Sequence, residues 1–202
     1  MPFWLATGPL VLASKSSVRR ALLAAAGIAI EVRPAEIEER AIETKAAAAG
    51  PSAVAAVLAR AKASAVAAQL PGRLVLGADQ TLALGAQRFS KPANQAAAAA
   101  QLRALRGKPH ALHSALAVAR DGRVVFEHTD MARLTMRAFS DEFLQEYLDA
   151  AGETVTASVG GYQLEGLGIQ LFERIEGDYF TILGLPLLPL LEFLRRERLL
   201  AE

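Results

Sequence analysis

Short apolar runs alternating with helix-period segments constrain this chain more than any other feature. Leu10-Val11-Leu12-Ala13, following Pro9, reads as a buried strand. It stops at Ser14-Lys15-Ser16-Ser17, a helical pattern follows over 18–26, and Gly27 supplies the left-handed residue that commonly closes a helix. A second short strand over 28–33 ends at Pro34. Pro51 and Ser52 open a long helix to about Gln69, with Val54, Val57, Leu58 and Ala61 on one stripe. Leu74-Val75-Leu76-Gly77-Ala78-Asp79 is another buried strand, with a carboxylate expected at its C-terminal end. A small hairpin over 82–89 turns at Gly85, and Asn94 caps a helix to Leu105. Strands over 110–119 and 124–135 meet at Asp121-Gly122, a strong hairpin signal. Ser140 caps a helix through Leu148, the glycine-rich stretch 160–172 reads as an extended loop entering a strand, and 187–200 is a final helix. The pattern predicts a single α/β domain over residues 1–202: a mixed β-sheet flanked by helices, in two lobes around a central cleft.

Composition removes several classes of function. Lys plus Arg number 22 and Asp plus Glu 21, a net charge of +1. That balance argues against sequence-blind binding of nucleic acid, which needs a basic excess. Without cysteine there is no disulfide framework, thiolate zinc site or cysteine nucleophile. No apolar stretch reaches the roughly 18 unbroken residues of a membrane span. The start, Met1-Pro2-Phe3-Trp4, lacks a basic n-region, so a signal peptide is not expected and the cytoplasm is.

Five segments carry candidate chemistry. In Ser14-Lys15-Ser16-Ser17-Val18-Arg19-Arg20 a strand enters a hydroxyl-rich turn, and two arginines follow in the first helical turn. Free backbone N–H groups, hydroxyls and guanidinium forks suit an anion, although an ordinary serine N-cap with solvated arginines reads the same residues equally well. No Walker loop occurs. Asp79, in Gly77-Ala78-Asp79-Gln80-Thr81, lies where open α/β sheets place their ligands and could bind a hard cation or deprotonate water. Glu36, Glu38 and Glu39 could complete a metal site, and Lys91 before Pro92 could neutralise phosphate. The glycines around Tyr162 and Glu165 suggest a backbone that approaches a flat ligand closely. The histidines carry little: His110 and His113 are three apart in one strand and face opposite sides, a poor fit to one metal. No Gly-x-Ser-x-Gly elbow is present.

Together these segments resemble the Maf family, nucleotide pyrophosphatases once described as septum-formation inhibitors. The resemblance runs nearly the whole chain, through Leu12-Ala13-Ser14, Ser16, Arg19-Arg20, Ala35-Glu36-Ile37-Glu38-Glu39, Ala61-Lys62-Ala63, Gly77-Ala78-Asp79 and Lys91-Pro92. It continues through Leu105, Gly107 and His110, Gly161-Tyr162, Glu165-Gly166, Gly168, Glu176-Gly177-Asp178-Tyr179 and Gly184-Leu185-Pro186. It implies hydrolysis of nucleoside triphosphates to monophosphate and pyrophosphate with a divalent cation, Mg²⁺ or Mn²⁺, in a homodimer that engages neither nucleic acid nor membrane. Asp79, Lys62 and Lys91 would be catalytic, Ser14, Ser16 and Arg19 would bind phosphate, and Glu39 with Asp79 would hold the metal. Lys62 comes from the resemblance alone; on the residues it reads as a solvated lysine on an Ala-rich helix.

Two positions depart from the family pattern. Ser17 stands where proline is usual, and Val18 occupies a base-preference position that is often Arg in members acting on dTTP and UTP and Trp in those acting on 7-methyl-GTP. The other preference positions, Gln80 and Glu165, resemble the 7-methyl-GTP branch. A carboxylate at Glu165 can accept from guanine N1–H and the exocyclic amine together, while Val18 lacks a stacking ring worth about 1–3 kcal/mol per base. The expected activity is therefore pyrophosphatase on modified triphosphates, favouring 7-methyl-GTP. The alternatives are a dTTP/UTP pyrophosphatase, a phosphatase of the terminal phosphate, and a nucleotide-binding regulator of cell division with little turnover.

Overall fold

The apolar runs at 10–13 and 74–78 lie side by side as parallel strands. In the computed structural model, which describes residues 3–202, β1 (Leu10–Leu12) pairs with β2 (Ile30–Val32) on one side and β3 (Val75–Leu84) on the other. Met1 and Pro2, the first two residues of the start read for a signal peptide, lie outside the described residues. The remaining strands are β4 (Gln87–Phe89), β5 (Pro109–Arg120), β6 (Arg123–Met136) and β7 (Phe172–Glu176). The seven-stranded mixed sheet runs β2-β1-β3-β5-β6-β7, with β4 antiparallel beside β3 and β7 antiparallel to β6. Asp121 and Gly122, both at positive φ (51° and 75°), make the β5–β6 turn and fit the primed hairpin geometry.

The helices are α1 (Ser17–Ala25), α2 (Glu39–Ala46), α3 (Pro51–Ala67), α4 (Gln95–Leu105), α5 (Asp141–Ala151), α6 (Tyr179–Ile182) and α7 (Leu187–Arg196). Side chains of Ser16, Asn94 and Ser140 cap α1, α4 and α5 by accepting from backbone N–H groups of the first turn. The stretch 160–172 is tighter than a plain extended loop: 3₁₀ turns at Val159–Gly161 and Leu167–Leu171 shape it before β7 begins.

The chain forms two compact units. The first holds residues up to Gln80, His113–Asp130 and Asp178–Glu202; the second holds Thr81–Leu112 and Met131–Gly177. In the first, side chains alternate across the sheet. Leu10, Leu12, Leu76, Ala78, Leu116 and Val118 pack with Leu23 of α1 and Leu190, Phe193 and Leu194 of α7. Val11, Ala13, Val75, Ala115 and Ala117 face Ala55, Ala59 and Ala63 of α3 instead. The small residues of α3 let its backbone come very near β3, so a Cβ at Gly77 would meet Ala59 O at 2.2 Å and Ala63 N at 2.6 Å. Gly77→Ala therefore forces the helix off the strand. The expected cost is about 3 kcal/mol, read as a melting temperature roughly 6–12 °C lower by calorimetry. An unchanged Tm would show that the gap yields easily.

In the second unit, α4 buries Ala98, Ala99, Leu102 and Leu105 and packs beside α5, which buries Leu144, Tyr147 and Leu148. Tyr147 O–H donates to Gly161 O at 3.1 Å, and His110 Nε2 lies 2.8 Å from Tyr162 Oη. Burial pushes His110 down to about 4 and raises Tyr147 to about 12, so both are neutral near pH 7. His110 is thus a core anchor of the glycine-rich segment, and His113 is only half-buried on the other face of β5.

Candidate active site

Asp79 does not end its strand. The apolar run breaks at Asp79-Gln80, which imitates a terminus, but β3 continues through Leu84 because Thr81-Leu82-Ala83-Leu84 keeps extended backbone and pairs with β4. Mid-strand placement has a chemical consequence. Successive residues face opposite sides, so Asp79 shares the α3 side with Gly77, while Gln80 shares the other side with Ala78.

On the α3 side three charged groups meet. Lys62 Nζ donates to Asp79 Oδ1 at 2.6 Å and lies 3.1 Å from Glu39 Oε2. The Lys62 side chain is 11% exposed and that of Asp79 13%, against 48% for Glu39. This lysine is buried, not solvated, because the close approach of α3 at Gly77 delivers position 62 to the carboxylate. Glu39 is the first residue of α2, a helix not evident in the sequence pattern, and a carboxylate there is favoured by the helix dipole.

Arg19 leaves the first turn of α1. Its Nε donates to Gly184 O at 2.7 Å, and its Nη1 donates to Ala78 O at 2.9 Å and Ser14 Oγ at 3.2 Å. Nη2 has no partner among the described residues. Burial lowers the Arg19 pKa from its ordinary value, and the Asp79 and Glu39 charges oppose that shift. Ser16 is the helix cap itself, its Oγ accepting from Arg19 N at 3.3 Å. The capping reading thus holds for Ser16, and the solvated reading holds for Arg20, which is exposed. Gly184 sits at φ +88°, and a Cβ there would lie 3.3 Å from Arg19 Nη2 and 3.6 Å from Gln80 Cδ, so the glycine keeps the two side chains uncovered.

Gln80 Nε2 is committed to the protein, donating towards Ser114 Oγ (2.9 Å), Thr181 O (3.1 Å) and Ile182 O (2.9 Å). These acceptors fix the amide orientation and leave Oε1 as the group a ligand would meet. Val18 is half-buried on α1. Lys91 and Glu165 belong to the second unit, where both are exposed. Eight of the ten predicted residues therefore lie in the first unit: Ser14, Ser16, Val18, Arg19, Glu39, Lys62, Asp79 and Gln80. The sequence reading gave no part to Ala78 O, Ser114 and Thr181. Ser114 and Thr181 are buried hydroxyls in largely apolar stretches of the sequence, a signal that does not distinguish a support from any other buried hydroxyl.

A divalent ion fits this set only in part. Among the described residues no three His, Cys, Asp or Glu side chains gather to hold a metal alone. Two carboxylates do converge, which suits Mg²⁺ or Mn²⁺ when phosphate oxygens and water supply the other ligands.

The sequence profile of the family described as "Maf-like protein" matches residues 9–197. The chain belongs to the Maf family. A Bradyrhizobium diazoefficiens protein named "Nucleoside triphosphate pyrophosphatase" is 58% identical over 201 residues, 100% of both chains. A Rhodopseudomonas palustris (strain BisB18) protein of the same name is 56% identical over the same coverage. A Rhizobium etli protein named "7-methyl-GTP pyrophosphatase" is 54% identical over 191 residues, 94% of this chain and 96% of the relative. The resemblance read from the scattered Maf motifs is thus a true membership, and the motifs quoted for it all fall inside the matched span.

Proposed function

We propose that the chain hydrolyses nucleoside triphosphates to nucleoside monophosphate and pyrophosphate, with 7-methyl-GTP favoured over dTTP and UTP. One observation carries the chemistry: an ammonium between two carboxylates on the α3 side of β3, with a guanidinium from the start of α1 held to the same strand at Ala78 O. The four charges cancel, so a triphosphate arriving there needs further positive charge, which Mg²⁺ or Mn²⁺ would supply while lowering the pKa of a bound water. Arg19 Nη2, Ser14 and Lys62 bind phosphate oxygens, Asp79 takes the proton from the attacking water, and Glu39 with Asp79 would hold the cation. Lys91 adds a further positive charge for phosphate. The same reading makes the chain a cytoplasmic homodimer; no helix among the described residues is long and apolar enough to cross a membrane.

The base preference rests on acceptors. Gln80 Oε1 and Glu165 both suit the N–H donors of a guanine edge, and the positive charge of a 7-methylated base favours a carboxylate over an amide. The Rhizobium etli relative's name agrees with that preference. Val18 offers no ring, so the margin should be smaller than in a Trp-bearing relative. One assay tests both statements: 7-methyl-GTP, dTTP and UTP are turned over with Mg²⁺ or with excess chelator, and the products are resolved. Pyrophosphate plus monophosphate, higher kcat/KM for 7-methyl-GTP and no turnover in chelator are expected. Glu165→Gln should narrow the purine preference severalfold, and Val18→Trp should widen it. Orthophosphate plus diphosphate would sink the reaction; a wild-type preference for dTTP or UTP would sink only the specificity.

A further inference from the structure

The pair of carboxylates assigned to the metal already holds a cation. Lys62 Nζ donates a short charge-assisted hydrogen bond to Asp79 Oδ1 at 2.6 Å and makes an ion pair with Glu39 Oε2 at 3.1 Å. A divalent ion bound by those same oxygens at about 2.0–2.2 Å would fill the space the ammonium occupies and repel it. The ammonium cannot simply swing into water, since its side chain is only 11% exposed and its backbone belongs to α3. That helix is pinned against β3 at Gly77. Removing Lys62 from the carboxylates without another anion would leave a buried charge unpaired, which is costly. A phosphate oxygen is such an anion, and Arg19, anchored by Gly184 and Ala78, already feels the charge of the same two carboxylates.

We propose that Lys62 is the resident cation of the Asp79–Glu39 pair and withholds both carboxylates from divalent ions until a polyphosphate draws its ammonium away. The inference rests on the metal reading above and adds an order to it: the free enzyme takes up little metal, and cation and nucleotide enter together. Lys62 then has two successive partners, carboxylate before substrate and phosphate after. This keeps a strong metal site from forming in the absence of substrate, where cytosolic divalent ions of the wrong kind would compete for it.

Binding of Mn²⁺ alone, followed by electron paramagnetic resonance without nucleotide, tests the proposal independently of turnover. Wild type should bind weakly, and Lys62→Met, which keeps the buried aliphatic stem, should bind at least tenfold more tightly. Lys62→Arg keeps a cation in place and should stay near wild type, while Lys62→Met combined with Asp79→Asn should lose the tight site. If Lys62→Met fails to fold by circular dichroism, Lys62→Gln carries the same comparison. Equal Mn²⁺ affinity in wild type and Lys62→Met, in an enzyme whose turnover needs Mn²⁺, overturns this proposal and leaves the metal reading standing. Turnover that survives chelator, with no Mn²⁺ bound by any variant, overturns both.

Discussion

Asp79→Asn lowers kcat at least about a hundredfold, the effect typical of a lost general base. The substitution is close to isosteric and leaves an amide oxygen able to accept from Lys62 Nζ, now 2.6 Å from Oδ1. What it removes is the negative charge and the ability to take a proton. If Asp79 serves only to neutralise Lys62, the loss should appear as a shift in KM, with kcat nearly kept. If it takes the proton from water, kcat falls and KM changes little. A hundredfold loss corresponds to about 2.7 kcal/mol of transition-state stabilisation. Stability must be followed beside it, because breaking a buried ion pair can cost about 3–5 kcal/mol. Glu39 remains to pair with Lys62, so the folding loss should be smaller than that. Kinetics measured well below the melting temperature then separate the two effects. Near-normal kcat in Asp79→Asn would remove Asp79 from the reaction.

The elements that could be read from the sequence are those fixed by local physics. Asn94 and Ser140 cap their helices as expected, Asp121-Gly122 turns the long hairpin, and the run 10–13, only 0–1% exposed, contains the buried strand β1. Elements with weak local signals escaped. α2 buries no residue at all, so its sequence carries no apolar stripe to notice, and α6 is a single turn of four residues. The mistaken end of β3 has the same origin. Period and composition describe solvent exposure, and a half-buried Asp79-Gln80 pair inside a strand looks like a terminus. Lys62 shows the limit most clearly, because its burial depends on a glycine 15 positions away that admits α3. Only the family resemblance pointed to it. Arg19, by contrast, lay in a motif whose chemistry could be read directly, and the structure added which of its N–H groups remain for a ligand.

Arg19→Ala should lower kcat/KM by roughly a hundredfold or more, while Arg20→Ala stays within about twofold of wild type. The two residues are adjacent, carry the same charge and lie in the same helical turn, so any general effect of the basic segment cancels in the comparison. They differ in setting. Arg20 is exposed; Arg19 is held by Gly184 O at 2.7 Å and Ala78 O at 2.9 Å, and its Nη2 is left for a ligand. A hydrogen bond to a charged group contributes about 1.5–3 kcal/mol, which is roughly 10- to 150-fold in binding at 1.4 kcal/mol per decade. Losing the guanidinium also strips a donor from two partly buried carbonyls, at about 1–3 kcal/mol each, so the Tm of Arg19→Ala should fall as well. Arg19→Lys separates the contributions. It restores the charge, but the three donors of an ammonium radiate from one nitrogen and cannot span both carbonyls and a phosphate as the guanidinium fork does. It should therefore recover less than a tenth of the lost kcat/KM. Full recovery with lysine would reduce Arg19 to a point charge, and equal small losses at Arg19 and Arg20 would show that the turn is a helix cap and nothing more.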